Sequence, residues 1–224
     1  MKRCIFTAHN FQIDPRYPEY HARVCHKLKD DSIDYMPLRY NKRDGEVVHW
    51  QVLDFAVPEL FYKSGYDSIM VLDLDCIPLS KSALMKTFEL AEAGALVGNI
   101  QRSNHIENDQ HTYVASSCFT LTRDFYEKMG KPSAGLTYRA DTIEEYTYAC
   151  EERKLDVVKF TPVSCEANPY GQDKPWDLAE GMPKYGVGTT FIHDNQEMFY
   201  HLFESRYHGN IGKFIAKCDT SLKP

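Results

Sequence analysis

Two hydrophobic periods alternate along the chain, and they separate strands from helices. Arg3 to Ala8 reads as a first strand, Cys-Ile-Phe-Thr-Ala, which runs into the polar turn His9-Asn10. Pro15 to Lys29 carries apolar residues at loosely helical spacing, and Ile33 to Leu38 reads as a second strand. After a polar loop at Asn41-Lys42-Arg43-Asp44-Gly45, Val48 to Tyr62 predicts an amphipathic helix with Val52, Phe55, Ala56, Leu60 and Phe61 on its core face. Pro58 should kink or shorten that helix, because it has no N–H to donate. Ile69 to Leu72 is a short continuous apolar run, the mark of a strand buried on both faces. A helix over Ser82 to Glu92 follows, ending near Gly94. The order strand, helix, strand, helix, strand predicts a parallel sheet with right-handed crossovers.

The second half is less regular. Ala95 to Ile100 and Tyr113 to Thr122 read as strands, separated by an aperiodic polar segment. Asp124 is placed to N-cap a short helix ending at Gly130. Asp141-Thr142-Ile143-Glu144-Glu145 opens a helix to about Lys154, and Thr142 and Glu145 have the spacing of a capping box. Val157 to Phe160 is a further strand that Pro162 should close, and Ala167 to Gly188 reads as a long loop. Met198 to Phe203 alternates toward a strand, followed by a tail with Arg206, His208, Lys213 and Lys217.

The chemistry is concentrated where the buried strand ends, at Asp73-Leu74-Asp75-Cys76-Ile77-Pro78. With 17 Asp in 224 residues, chance alone supplies about one Asp-x-Asp, so the spacing by itself means little. The context carries the information: Asp is depleted in strands, and two neighbouring buried anions repel unless something offsets them. If the pair stays extended, both carboxylates share one face at the carboxyl end of a central strand, where open α/β sheets bind ligands. One hard divalent cation, held directly or through water, would offset the repulsion and leave positions for phosphate oxygens.

Composition narrows the alternatives. A net charge of −6 argues against broad binding to nucleic acid, and no apolar stretch is long enough to span a membrane. The start, Met1-Lys2-Arg3-Cys4-Ile5-Phe6-Thr7, lacks the apolar core of a secretory signal. Seven cysteines are scattered without a Cys-x-x-Cys pair, which reads as free thiols in a reducing, cytoplasmic compartment (a host's cytoplasm if the chain is viral). With no linker-like shift of composition, residues 1–224 read as one domain.

Taken together, the acidic strand end, the acidic helix start at Asp141, Glu144 and Glu145, and a late histidine resemble the GT-A glycosyltransferases, in particular small single-domain members such as some viruses encode. The resemblance covers most of the chain in order of elements and is sharpest over 66–79. It implies an α/β fold, with a Rossmann-like nucleotide-binding half on a mostly parallel sheet and a mixed acceptor-side half. It implies Mn²⁺ or Mg²⁺ held by Asp75, with Asp73 on the metal, on a metal-bound water or on the ribose. A late histidine would complete the metal site, His201 first, then His208, with His193 as a third candidate. Phe6, Thr7, Ala8, His9 and Arg39 would surround base and ribose, and Arg206 and Lys213 would steady phosphates. The base for the acceptor hydroxyl would be Glu145, then Asp141, with Glu144 as the remaining acid; a retaining reaction without such a base stays open. Trp176, in the long loop with Tyr170, Asp173 and Lys174, would stack on a sugar or pin the loop.

The expected activity is therefore sugar transfer from a nucleotide sugar, with UDP favoured over GDP, to a hydroxyl of a glycan or glycoprotein. Two rivals stand beside it. A haloacid-dehalogenase-type phosphatase also uses Asp-x-Asp after a hydrophobic strand, but near the N-terminus and with different following residues. A non-catalytic nucleotide-sugar or carbohydrate-binding module would keep the fold without turnover.

Overall fold

The structure, a computed structural model, describes residues 1–40, 49–166, 175–203 and 210–223. The first half runs β1 (Arg3–Asn10), α1 (Arg16–Leu28), β2 (Ile33–Tyr40), α2 (His49–Pro58), β3 (Ser68–Leu72), β4 (Cys76–Pro78) and α3 (Lys81–Glu92). The second runs β5 (Ala95–Arg102), β6 (Thr112–Thr122), α4 (Arg123–Lys128), α5 (Glu144–Arg153), β7 (Asp156–Ser164), β8 (Thr189–His193), β9 (Gln196–His201) and α6 (Asn210–Ser221).

As the strand–helix alternation predicts, β1 pairs in parallel with both β2 and β3. Beyond β3 the sheet becomes mixed. β6 is antiparallel to β3 and β5, β7 is parallel to β5, and β8, β9 and β4 follow as antiparallel neighbours. The full order is β2-β1-β3-β6-β5-β7-β8-β9-β4. The parallel pairing of the first half and the mixed pairing of the second are both as expected. β3 and β4 are separated in sequence by Asp73-Leu74-Asp75 alone, yet they stand third and last in the sheet. The sheet must therefore curl, returning its last strand to the end of β3.

Helices cover both faces. Phe6, Ile69 and Val71 pack with Leu53, Val57 and Phe61 on one side, and Ile5, Met70 and Leu72 pack with Leu84 and Phe88 on the other. Every residue of β3 is buried, as its unbroken apolar run requires. Each such side chain stabilises the fold by about 1.5–3 kcal/mol. The face assigned to α2 needs correction, because Phe55 is 64% exposed while Leu53 and Val57 are buried. The α-helix stops at Pro58, and a π-helical turn over Glu59–Lys63 inserts an extra residue that swings Leu60 and Phe61 inward.

Other differences are local. Thr122, not Asp124, caps α4, its hydroxyl accepting from Phe125 N at 3.2 Å. Pro162 does not close β7; it lies inside the strand opposite Phe191, beside a shift of register. β8 is an additional strand beyond those expected; Asp194 and Asn195 (φ 49° and 62°) form the two-residue turn of the β8–β9 hairpin, with residue types that favour it. The expected tail contains α6, whose Phe214 lies 5.1 Å from the Tyr17 ring of α1. All seven cysteines are free thiols.

Candidate metal centre

The acidic motif is a turn, not a continuation of the strand. β3 ends at Leu72, and Cys76 N donates back to Asp73 O at 2.9 Å. Leu74 is buried against the α1–α6 side, which leaves its two acidic neighbours facing the cleft. Asp73 N donates to Ser117 O of β6 at 3.0 Å, and Asp75 O accepts from Leu202 N at 2.8 Å. Both acids thus have backbones pinned by other strands.

The curl of the sheet supplies the third group. β4 pairs with β9 so that Cys76 faces His201, which sets His201 Nε2 3.3 Å from Asp75 Oδ1. One ligand atom from each of Asp73, Asp75 and His201 lies within 4.8 Å of the others. Octahedral bonds of about 2.1 Å put donors about 3 Å apart along an edge and about 4.2 Å across, so the three side chains fit one ion. His201 is 5% exposed, with Nδ1 lacking a partner and its ring 3.8 Å from that of Phe203. Two carboxylates and an imidazole suit a divalent cation of the Mn²⁺ type, with further positions for phosphate oxygens. His193 lies elsewhere, near Asp194 and the Phe160 ring. His208 and Arg206 fall outside the described residues, and Lys213 Nζ pairs with Glu166 at 3.0 Å.

A cleft of about 200 Å³ opens on one side of the acids, lined by His9, Asn10, Tyr40 and His49 among others. It shares His9 and Asn10 with a narrower recess of about 110 Å³, where Arg39 lies 4.0 Å over the Phe11 ring. Burial, and then the nearby Arg39 charge, hold His9 below the ordinary imidazole value, so it faces the cleft as a neutral ring. Ala8 and His9 line this cleft, but Phe6 and Thr7 do not. They lie deeper along β1, Phe6 in the core and Thr7 fully buried.

A second cavity, of about 410 Å³, is lined by Arg102, His105, Asp141, Trp176, Tyr185 and Phe203. Phe203 links it to the acids' site, since the same ring lies against His201. Asp141 Oδ2 accepts from the Tyr113 hydroxyl at 3.3 Å and from Ser103 Oγ at 3.4 Å. Trp176 both pins its segment, bridging to Tyr185, and faces the cavity. Tyr170, Asp173 and Lys174 lie outside the described residues.

The three candidate acids separate in space. Ile143 takes a left-handed conformation at φ 60°, unfavourable for a β-branched residue, and α5 starts only at Glu144. The expected capping box between Thr142 and Glu145 does not form, since the helix begins at Glu144 with no side-chain cap; instead Asp141 N donates to Glu144 Oε2 at 2.7 Å. Glu144 is fully buried, lines neither cavity and also holds Asn108 Nδ2 at 2.8 Å and His111 Nδ1 at 2.6 Å, a structural role. Glu145, the base that the family resemblance implies first, is turned to Thr137 and Arg139, with 2.8 Å to Arg139 Nη2. Hydrogen bonding from Arg139 and Thr137 outweighs burial and holds its carboxyl below the usual range.

Glu145 gives a signed pH effect. Its ion pair adds stability in full above the unfolded carboxylate value, about 4.3, and loses it as pH falls through the lower folded value. Since Arg139 is partly exposed, the contribution should stay under about 1 kcal/mol. Melting temperatures of wild type and Glu145→Gln should therefore differ at neutral pH and converge in strong acid. A constant difference across the titration would contradict this.

The molecule's likenesses can be set beside this geometry. No protein-family model matches the sequence, and no curated protein matches it. In shape, the chain resembles sugar-nucleotide transferases. Among solved structures, a candidate nucleotide-diphospho-sugar transferase from Desulfovibrio desulfuricans aligns at TM-score 0.48 and 11% identity, over 70% of this chain and 79% of that one. The catalytic domain of Drosophila beta-1,4-galactosyltransferase 7, in complex with xylobiose, aligns at 0.48 and 14% identity, over 71% of this chain and 65% of that one. An active-site mutant of LgtC aligns at 0.45 and 12% identity, over 97% and 95%. With every one of these TM-scores below 0.5, the functional reading rests on the site itself.

Proposed function

We propose that the chain is a single-domain, metal-dependent glycosyltransferase. It moves a sugar from a nucleotide sugar, UDP-sugar favoured, to a hydroxyl of a glycan or glycoprotein. The observation that carries this reading is the convergence of Asp73, Asp75 and His201 on one point beside the cleft that the two acids line. A cation there, Mn²⁺ or Mg²⁺, would supply Lewis-acid stabilisation to the charge that builds on a departing diphosphate. Arg39, at the recess it shares with Phe11, offers a charge to the nucleotide. In the cavity at Phe203, Trp176 and Tyr185 present aromatic faces suited to sugars, and Asp141 would take the proton of the acceptor hydroxyl. A cytoplasmic location is supported by the seven free thiols. No helix among the described residues is long and apolar enough to cross a membrane.

Screening nucleotide sugars for Mn²⁺-dependent hydrolysis tests the reading. Turnover of a UDP-sugar that stops without metal is the expected result, and turnover of p-nitrophenyl phosphate alone would replace it with a phosphatase. Asp141→Asn should lower transfer to acceptor by about 10²-fold while binding of UDP with Mn²⁺ stays unchanged. Weaker nucleotide binding in that variant would remove Asp141 from the role of base.

A further inference from the structure

Asp73 and Asp75 are held differently. Asp75 has His201 beside it and its carbonyl bonded to Leu202, whereas Asp73 is pinned through its N–H to Ser117 and has a different histidine at its carboxylate. Repulsion from Asp75 favours rotation away from the shared point. One side chain opposes that swing: Nε2 of His49, 3.2 Å from Asp73 Oδ1. His49 lies outside the set of three donors that meet at that point, so it touches a ligand and not the ion's position.

The imidazole is in turn firmly placed. His49 is the first residue of α2, and Val52 and Leu53, one turn further on, are buried in the core. Asp54 Oδ2 accepts from Ser133 Oγ at 2.8 Å and its Oδ1 accepts from Ala134 N, which ties the helix to the loop before Asp141. The ring is 35% exposed and lines the cleft beside Tyr40. Such contacts outside the metal's own ligands orient a carboxylate and typically change affinity by about 10–100-fold.

We propose that His49 is a positioning residue of the metal centre: its Nε2–H holds one oxygen of Asp73 and so presents the other to the cation. This rests on the metal-dependent reading above. The hydrogen bond fixes the rotamer of the carboxylate, which leaves the oxygen turned away from His49 free for the cation.

The test is titration of Mn²⁺ in the presence of saturating UDP, by calorimetry and by electron paramagnetic resonance of bound Mn²⁺. It uses wild type, His49→Ala and His49→Gln. His49→Ala should weaken Mn²⁺ binding by about 10–100-fold and broaden the resonance. His49→Gln, which keeps an N–H donor, should recover affinity to within about threefold and restore the line shape. If the alanine variant does not fold, His49→Phe, which keeps a ring without the donor, carries the same expectation. Unchanged affinity in the variants lacking the donor, or no recovery with Gln, overturns the role of His49 alone. Failure of wild type to bind Mn²⁺ with UDP overturns the functional reading and this inference together.

Discussion

Asp75→Asn is expected to lower Mn²⁺-dependent donor turnover by about 10³-fold while leaving thermal stability equal to or above that of wild type. Asn has the shape of Asp, and the backbone carbonyl at this position would still accept from Leu202 N. The loss is one negative charge from a three-residue site whose donors already stand within 4.8 Å of one another. Without the cation, that charge repels Asp73, so its removal relieves the apo protein. Turnover and melting temperature should therefore move in opposite directions, as expected for a group retained for chemistry and not for folding. Donor hydrolysis with Mn²⁺ and a thermal scan without it check both halves. A melting temperature several degrees lower, with activity lost in proportion, would assign Asp75 to the scaffold instead.

The second large effect lies in the sheet. Gly98 of β5 sits at the shift of register between Gly98 and Ile100, opposite Phe119 of β6. A Cβ there would stand 2.0 Å from Cys118 O and 2.8 Å from Val114 Cγ1. The first contact is with backbone in a central strand, which cannot move without breaking its pairing to β3. Gly98→Ala should therefore destabilise the protein by about 3 kcal/mol or more, read as a lower denaturation midpoint in urea. Because β6 also carries Ser117, whose carbonyl fixes Asp73 N, folded Gly98→Ala should bind Mn²⁺ more weakly as well. A variant within about 1 kcal/mol of wild type would mean that the two strands can separate at low cost.

Much of the first half was legible because it depends on short-range pattern. The unbroken run Ile69 to Leu72 signals a strand buried on both faces, and the carboxyl end of such a strand is where an α/β sheet presents ligand-binding groups. The proximity of His201 to Asp75 is a different kind of fact. It follows from the pairing of Cys76 with His201 across a sheet that curls through nine strands, and no local window contains that register. The acids of 141–145 show the limit most plainly. Spacing alone sets three carboxylates within one turn, and the left-handed Ile143 sends Asp141 to a cavity, Glu144 into the interior and Glu145 to Arg139. His49 carried no signal in sequence, since nothing in a helix's first residue announces a contact with Asp73.

The most direct measurement is anomalous diffraction at the manganese edge from crystals grown with Mn²⁺ and UDP. A single strong peak is expected, bonded at about 2.0–2.3 Å to Asp73, Asp75 and His201, with UDP phosphate oxygens completing its shell. Nucleotide bound with no peak between Asp75 and His201, or with manganese held elsewhere, would contradict it.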